Sequence, residues 1–285
     1  MAGQSPSPTP YSIEVSNLVT HYGDRQILHD VSLTVARGEI MVIMGGSGSG
    51  KTTFLNHLLG LKKPSSGTVR ILGHDIARLS PIALQRLRTR TGVAFQSGAL
   101  FSSMSVGDNI ALPLREHTGL DETTIGIMTR LKLEVVSLAG FEHLRPAELS
   151  GGMIKRAALA RAIVMDPELL FCDEPSAGLD PVVASSIDDL ILRLRDAMGM
   201  SIVVVTHDLD SAFKIADRIC VLDKGHVLAL DTVEAIRASS DPRIQNLLNR
   251  RTEDVEPDAD SYLRRLIGGP AQPPSPPSTT RTPRP

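Results

Sequence analysis

Residues Gly45-Gly46-Ser47-Gly48-Ser49-Gly50-Lys51-Thr52 match the pattern G-x-x-x-x-G-K-[ST] with nothing left over. Few sequence features restrict a fold as much. An apolar run, residues 40–44, precedes the loop, and residues 51 to about 59 read as a helix stopped by Gly60 and Pro64. Strand, glycine-rich loop and helix, in that order, wrap backbone N–H groups and the positive end of a helix around a phosphate chain. Lys51 then reaches the β- and γ-phosphates, the Thr52 hydroxyl ligates Mg2+, and Thr53 adjoins them in the first turn. The loop alone specifies a nucleoside triphosphate and no reaction, since kinases and GTPases share it.

The rest of the chain supplies a sheet for that loop. Residues 12–20 and 31–36 alternate as half-buried strands do, and 67–72 and 91–95 read as further strands. Residues 97–165 read as mostly helical, closed by Met165-Asp166-Pro167. Strand 168–172, helix 182–198, strand 202–206, helix 209–215 and strand 218–222 follow. Short strands separated by helices of ten or more residues imply βαβ units and a parallel sheet, an α/β fold. No internal repeat is visible, and one nucleotide motif occurs.

Two carboxylates, Asp173 and Glu174, follow the apolar run Leu169-Leu170-Phe171-Cys172. Ligands of open α/β sheets sit at strand carboxyl ends. Asp173 is therefore placed to hold Mg2+, and Glu174 to accept a proton from an attacking water. Two acids at a strand end are often mere solvated caps; the phosphate loop gives these two something to serve. A second anion site is written at Leu149-Ser150-Gly151-Gly152-Met153, which opens an amphipathic helix running to Val164. Ser150 and two glycines leave N–H groups free at a helix N-terminus, although an ordinary N-cap reads the same way. One chain needs one γ-phosphate site, so a second suggests a nucleotide shared between chains.

These motifs, with Gln96, Ser176-Ala177-Gly178-Leu179-Asp180 and His207, occur in the order seen in ABC transporter ATPases, which the chain resembles over residues 11–240. The resemblance implies an ABC-type P-loop ATPase with a mostly parallel core sheet, an N-terminal antiparallel β subdomain and a helical signature subdomain at about 97–165. It implies a head-to-tail homodimer binding ATP and Mg2+. Ser150, Gly151, Gly152 and Met153 of one copy, with the coupling-loop residue Asp180, then complete the site on the other. By the same resemblance Tyr22 stacks on adenine, Gln96 touches Mg2+ and reports occupancy to a transport subunit, and His207 contacts the γ-phosphate. The expected catalytic pair is Glu174 and His207, and the expected metal set Thr52, Gln96 and Asp173.

Met153 departs from the Gln common at that position. Gly152-Met153 with Lys155 and Arg156 resembles a narrower group, the ATPases of the Mla (maintenance of lipid asymmetry) phospholipid transporters. So do Phe95-Gln96-Ser97-Gly98-Ala99-Leu100-Phe101, Pro113-Leu114-Arg115-Glu116-His117-Thr118 and Asp241-Pro242-Arg243, all expected in the helical region where the family docks its permease. This group implies a membrane permease as partner, with a small STAS-domain protein and a lipid-binding MCE-domain subunit beside it. Another cargo, such as an amino acid, lipoprotein or drug, is the alternative.

Composition bears on the rival classes. A net charge of −2, one phosphate loop and no heptad run argue against a protein acting on DNA or ribosomes. No stretch approaches the roughly 18–20 apolar residues of a membrane helix, and MAGQSPSPTP does not read as a secretion signal. The expected location is the cytoplasmic face of the inner membrane, held there by a partner. Cys172 and Cys220 read as buried hydrophobes. Residues 1–10 read as a flexible segment, 241–267 as an extension able to embrace the partner subunit, and 268–285 as a Pro-rich disordered tail.

Overall fold

The computed structural model of the protein describes residues 10–249. The expectations for residues 1–9, for most of the 241–267 extension and for the Pro-rich tail lie outside them. Two sheets form the frame. In the first, β1 (Tyr11–Tyr22) and β2 (Arg25–Ala36) make a long hairpin, and β4 (Ser66–Ile71) and β5 (His74–Asp75) extend it in the order β2-β1-β4-β5, antiparallel throughout. The second contains β3 (Ile40–Met44), β6 (Thr91–Ala94), β7 (Leu169–Asp173), β8 (Ser201–Val205), β9 (Arg218–Asp223) and β10 (His226–Thr232). Its order is β10-β9-β3-β8-β7-β6, parallel except for the β9–β10 hairpin.

Residues of β3 are buried throughout, as in a parallel strand covered on both faces. Alternation divides them. Ile40, Val42 and Met44 join Leu170, Cys172, Ile202 and Val204 in one core. Met41 and Ile43 join Phe171, Val203, Val205 and Phe54 in the other, beneath the antiparallel sheet. Each such fully buried side chain is worth about 1.5–3 kcal/mol, so the sheet edge that carries the chemistry rests on a rigid base. Cys172 and Cys220 lie wholly inside, and burial pushes both thiols up to about 12.

The helices are α1 (Lys51–Leu58), α2 (Pro81–Arg88), α3 (Val106–His117), α4 (Glu122–Val135), α5 (Gly151–Ala162), α6 (Pro181–Met198), α7 (Leu209–Ile215), α8 (Val233–Arg237) and α9 (Pro242–Leu248). α3, α4 and α5 form the expected helical region, with a 3-10 turn at Pro146–Glu148. α5 ends at Ala162, two residues before the expected Val164. Strand 31–36 proves to be the second half of β2, whose first half is disguised in sequence by polar Arg25, Gln26, His29 and Asp30, the last a left-handed residue within the strand (φ 54°).

One placement differs from the sequence reading. Asp241-Pro242-Arg243 does not lie in the helical region. Asp241 caps α9 by accepting from Arg243 N at 2.8 Å, Pro242 opens the helix, and Ile244 is buried against the core. Arg243, Asn246 and Leu247 face a groove shared with Gly45–Ser49, so α9 packs on the phosphate-loop side. An Asp-Pro pair is a strong helix start wherever it falls, and it says nothing about which body the helix joins.

Candidate functional site

The loop leaving β3 fits its surroundings tightly at one end. A Cβ on Gly45 would stand 2.1 Å from the Leu222 carbonyl oxygen and 2.6 Å from Ser49 Oγ, so no side chain is tolerated there. Ser49 O accepts from Gly225 N at 3.0 Å, tying the loop to the β9–β10 turn. Gly50 precedes α1 with φ 104° and no side-chain cap, so the first-turn N–H groups of Lys51, Thr52 and Thr53 are left for something else. Lys51 bends across its own loop, its ammonium donating to Gly45 O at 2.7 Å and Gly46 O at 2.9 Å. Burial lowers its pKa, opposed by the charges of Glu174 and Asp173. The buried Ser49 hydroxyl has no hydrogen-bond partner among the described residues.

β7 brings the two acids to the same edge. Burial, and then the neighbouring Glu174, raise the pKa of Asp173, while Lys155 and Lys51 hold it down. Glu174 turns out of the strand with φ 47°, a left-handed conformation that costs a non-glycine residue energy. It is held on all sides. Its N–H donates to Val205 O at 2.8 Å, Oε2 accepts from the Thr206 hydroxyl at 3.1 Å, and Oε1 lies 2.6 Å from His207 Nδ1. With the carboxylate ionised, Nδ1–H is the donor. Glu174 is 9% exposed and the His207 imidazole is open to solvent. Parallel pairing of β7 with β8, Asp173 opposite Val205, is what lets residues 33 apart in sequence meet.

Gln96 follows β6 in an exposed turn, with its backbone carbonyl accepting from Lys155 Nζ. Tyr22 ends β1, 53% exposed, with the Lys62 ammonium 2.9 Å from the ring centroid on one face. Among the described residues no three His, Cys, Asp or Glu side chains cluster as a metal cage. Thr52, Gln96 and Asp173 offer hard oxygen donors with a single carboxylate, the set that suits Mg2+ shared with a substrate's phosphates.

The signature turn is built differently. Ser150 accepts from Met153 N at 3.3 Å and caps α5; both Ser150 and Gly151 are exposed. Gly152 is buried against α6, where a Cβ would come within 2.6 Å of Val183 Cγ1. Asp180 caps α6, accepting from Val182 N and Val183 N at 3.1 Å. The structure thus brings Ser150, Gly151, Gly152, Met153 and Asp180 together at the N-termini of α5 and α6, and the phosphate loop, Asp173, Glu174 and His207 together at the strand ends.

Sequence reasoning used Lys155 only for the resemblance to the narrower group and gave no role in the site to Lys155, Thr206 or Arg161. Lys155 carried a signal: it lies on the buried face of α5, three residues after Gly152 and four before Leu159, where a charged residue needs a reason.

The family model described as ABC transporter matches residues 28–177, more than half of the chain. The chain belongs to the ABC transporter family. It is an ATP-binding cassette ATPase. The intermembrane phospholipid transport system ATP-binding protein MlaF of Haemophilus influenzae is 44% identical over 258 residues, 90% of this chain and 98% of that protein. The probable ribonucleotide transport ATP-binding protein mkl of Mycobacterium tuberculosis is 42% identical over 244 residues, 86% of this chain and 68% of its own length. Among solved structures, the dimeric ATP-binding cassette MJ0796 bound to ADP and Pi is similar with a TM-score of 0.71 at 30% identity, covering 78% of this chain and 98% of that one. The two-sheet frame with a helical subdomain is accordingly the ABC ATPase fold, as the resemblance implied.

Proposed function

We propose that this chain hydrolyses Mg-ATP at a site completed by a second copy of itself, and that closure of the pair drives a membrane permease for phospholipid. The observation that carries the chemistry is the placing of Glu174, sunk beside the phosphate loop and held by Thr206 and His207. In this arrangement both carboxylate oxygens are engaged. Each oxygen accepts one hydrogen bond and keeps a lone pair that can take another from the attacking water.

Lys51 leaves the Gly45 and Gly46 carbonyls for the β- and γ-phosphates, and the loop N–H groups take the remaining oxygens. Tyr22 offers adenine the ring face opposite Lys62. Thr52, Gln96 and Asp173 hold Mg2+, which neutralises charge on the phosphate oxygens when bound. His207 swings from Glu174 to the γ-phosphate. Glu174, released, orients the water and accepts its proton. Ser150, Gly151, Gly152 and Met153 of the partner cover the γ-phosphate from the other side, with Asp180 linking the two sites. Most of the acceleration in such a site is positioning and electrostatics.

The cargo reading is supported by the phospholipid system to which the Haemophilus relative belongs, matched along 98% of that relative's length. It places the chain peripherally at the inner membrane, with a permease, a STAS-domain protein and an MCE-domain subunit as companions. No helix of the described residues is long and apolar enough to cross a membrane. The test is a pull-down of the tagged chain from detergent-solubilised membranes, with lipid mass spectrometry of what accompanies it. A permease carrying enriched phospholipid is the expected result. A permease carrying a polar cargo leaves the ATPase standing and removes the phospholipid.

A further inference from the structure

α5 does more than present the signature turn. Lys155, buried within it, donates from one ammonium to the backbone carbonyls of Gln96 and Glu174, the latter at 2.9 Å. Arg161, further along the same helix, donates to Gly98 O at 3.0 Å and Ala99 O at 2.8 Å. Two cations of one helix therefore grip the backbone that carries Gln96. One of them also grips the residue that bears the catalytic carboxylate.

Burying an ammonium is costly, and a Met or Leu at this position would fill the same space without that cost. Desolvation lowers the Lys155 pKa, opposed by the charges of Glu174 and Asp173. What the lysine holds explains its presence. The strained left-handed backbone of Glu174 has one end fixed by Val205 and the other by Lys155. Lys155 also stands only five residues from Ser150, on the same rigid helix.

We propose that Lys155 is a positioning residue for hydrolysis, locking the Glu174 backbone and the Gln96 turn to the helix whose N-terminus meets the partner's nucleotide. Engagement of the signature turn on one copy is thereby passed to the carboxylate of the same copy, and the two ATP sites fire together. This rests on the reading of Glu174 as proton acceptor.

The experiment compares Lys155→Met, Lys155→Gln and Glu174→Gln in the full chain, measuring kcat, KM, Mg-ATP affinity and thermal unfolding. Lys155→Met removes both donors and is expected to lower kcat by about 10²-fold, the scale of a misplacement of about 1 Å, with ATP affinity kept. Lys155→Gln retains N–H donors on a shorter arm, and its kcat falls between Met and wild type. Where Lys155→Met loses the fold itself, Lys155→Gln decides: reduced kcat with ATP affinity kept supports the inference, and unchanged kcat overturns it. Loss of affinity and of thermal stability in step with kcat, without partial rescue by Gln, also overturns it and leaves a structural lysine. Glu174→Gln runs beside them, with turnover expected to drop by about 10²–10⁴ and ATP binding kept. If Glu174→Gln retains turnover, the proton-acceptor reading fails whatever Lys155 does. If it loses turnover and Lys155→Met does not, only the inference fails.

Discussion

The phosphate loop and the signature turn are both glycine-rich N-termini of helices, α1 and α5, yet their surroundings are opposite. The first is enclosed by its own chain: Leu222 and Gly225 close on it from the β9–β10 hairpin, and Lys51 fills it. The second is backed by α6 on one side and bare on the other, with Ser150 and Gly151 in solvent. On the proposed reading, one helix N-terminus is thus an enclosed half-site and the other an open one. A surface built to the same chemistry and left open is what a shared nucleotide requires. The dimeric form of the solved relative agrees with that.

The largest effect that tests this contrast comes from mixing two damaged chains. Lys51→Ala removes the phosphate-binding cation, and Ser150→Arg blocks the open turn; each alone is expected to lose nearly all ATPase activity. In a mixture, the heterodimer joins one intact phosphate loop to one intact signature turn, and the ATP-driven pairing that each variant lacks alone returns, while hydrolysis stays low because neither copy has both its own nucleotide and an engaged signature turn. No recovery of pairing at any ratio, with both variants folded, would mean that the two regions serve the same chain and that the shared site is wrong.

How far sequence reading reached follows the same divide. The phosphate loop was legible from its motif, Asp173 and Glu174 from their place at a strand end beside it, and His207 from the resemblance to ABC ATPases; parallel strands deliver all of them to one edge. What holds them was not. Lys155 meets Gln96 and Glu174 across gaps of 59 and 19 residues, and no local pattern records such pairings. β10 and α2 had signals that went unread: Lys224 and Gly225, both left-handed, form a two-residue hairpin turn, and Ser80-Pro81 is a cap followed by its helix start. α9 was misassigned for a different reason. Its cap is local, but the burial of Ile244 that anchors it is tertiary.

Glycine substitutions sharpen the contrast by separating fold from function. Gly45→Ala drives a methyl into a backbone carbonyl that cannot retreat, an overpacking error of about 3 kcal/mol. It should lower the unfolding temperature of the isolated chain. Gly151→Ala meets only the flexible end of Leu179, at 3.3 Å, and replaces glycine by the best helix former in the first turn of α5. Its unfolding temperature should hold or rise while ATPase activity falls, because the added methyl stands where the partner's γ-phosphate is proposed to bind. Equal thermal losses in both variants would erase the distinction between an enclosed and an open turn.

Ser150→Ala gives the smallest effect and the finest cut. The hydroxyl caps α5 through Met153 N, and losing such a cap costs about 1 kcal/mol. Were capping its whole task, ATPase activity per folded dimer would be unchanged, and Ser150→Asp, which also caps, would behave as wild type. On the shared-site reading the two substitutions part ways. Alanine leaves the surface open and reduces activity modestly, whereas aspartate restores stability and sets a negative charge against the partner's phosphate. Stability recovered and ATP-driven dimerisation lost, in the same Ser150→Asp protein, can come only from a turn that faces a phosphate its own chain does not bind.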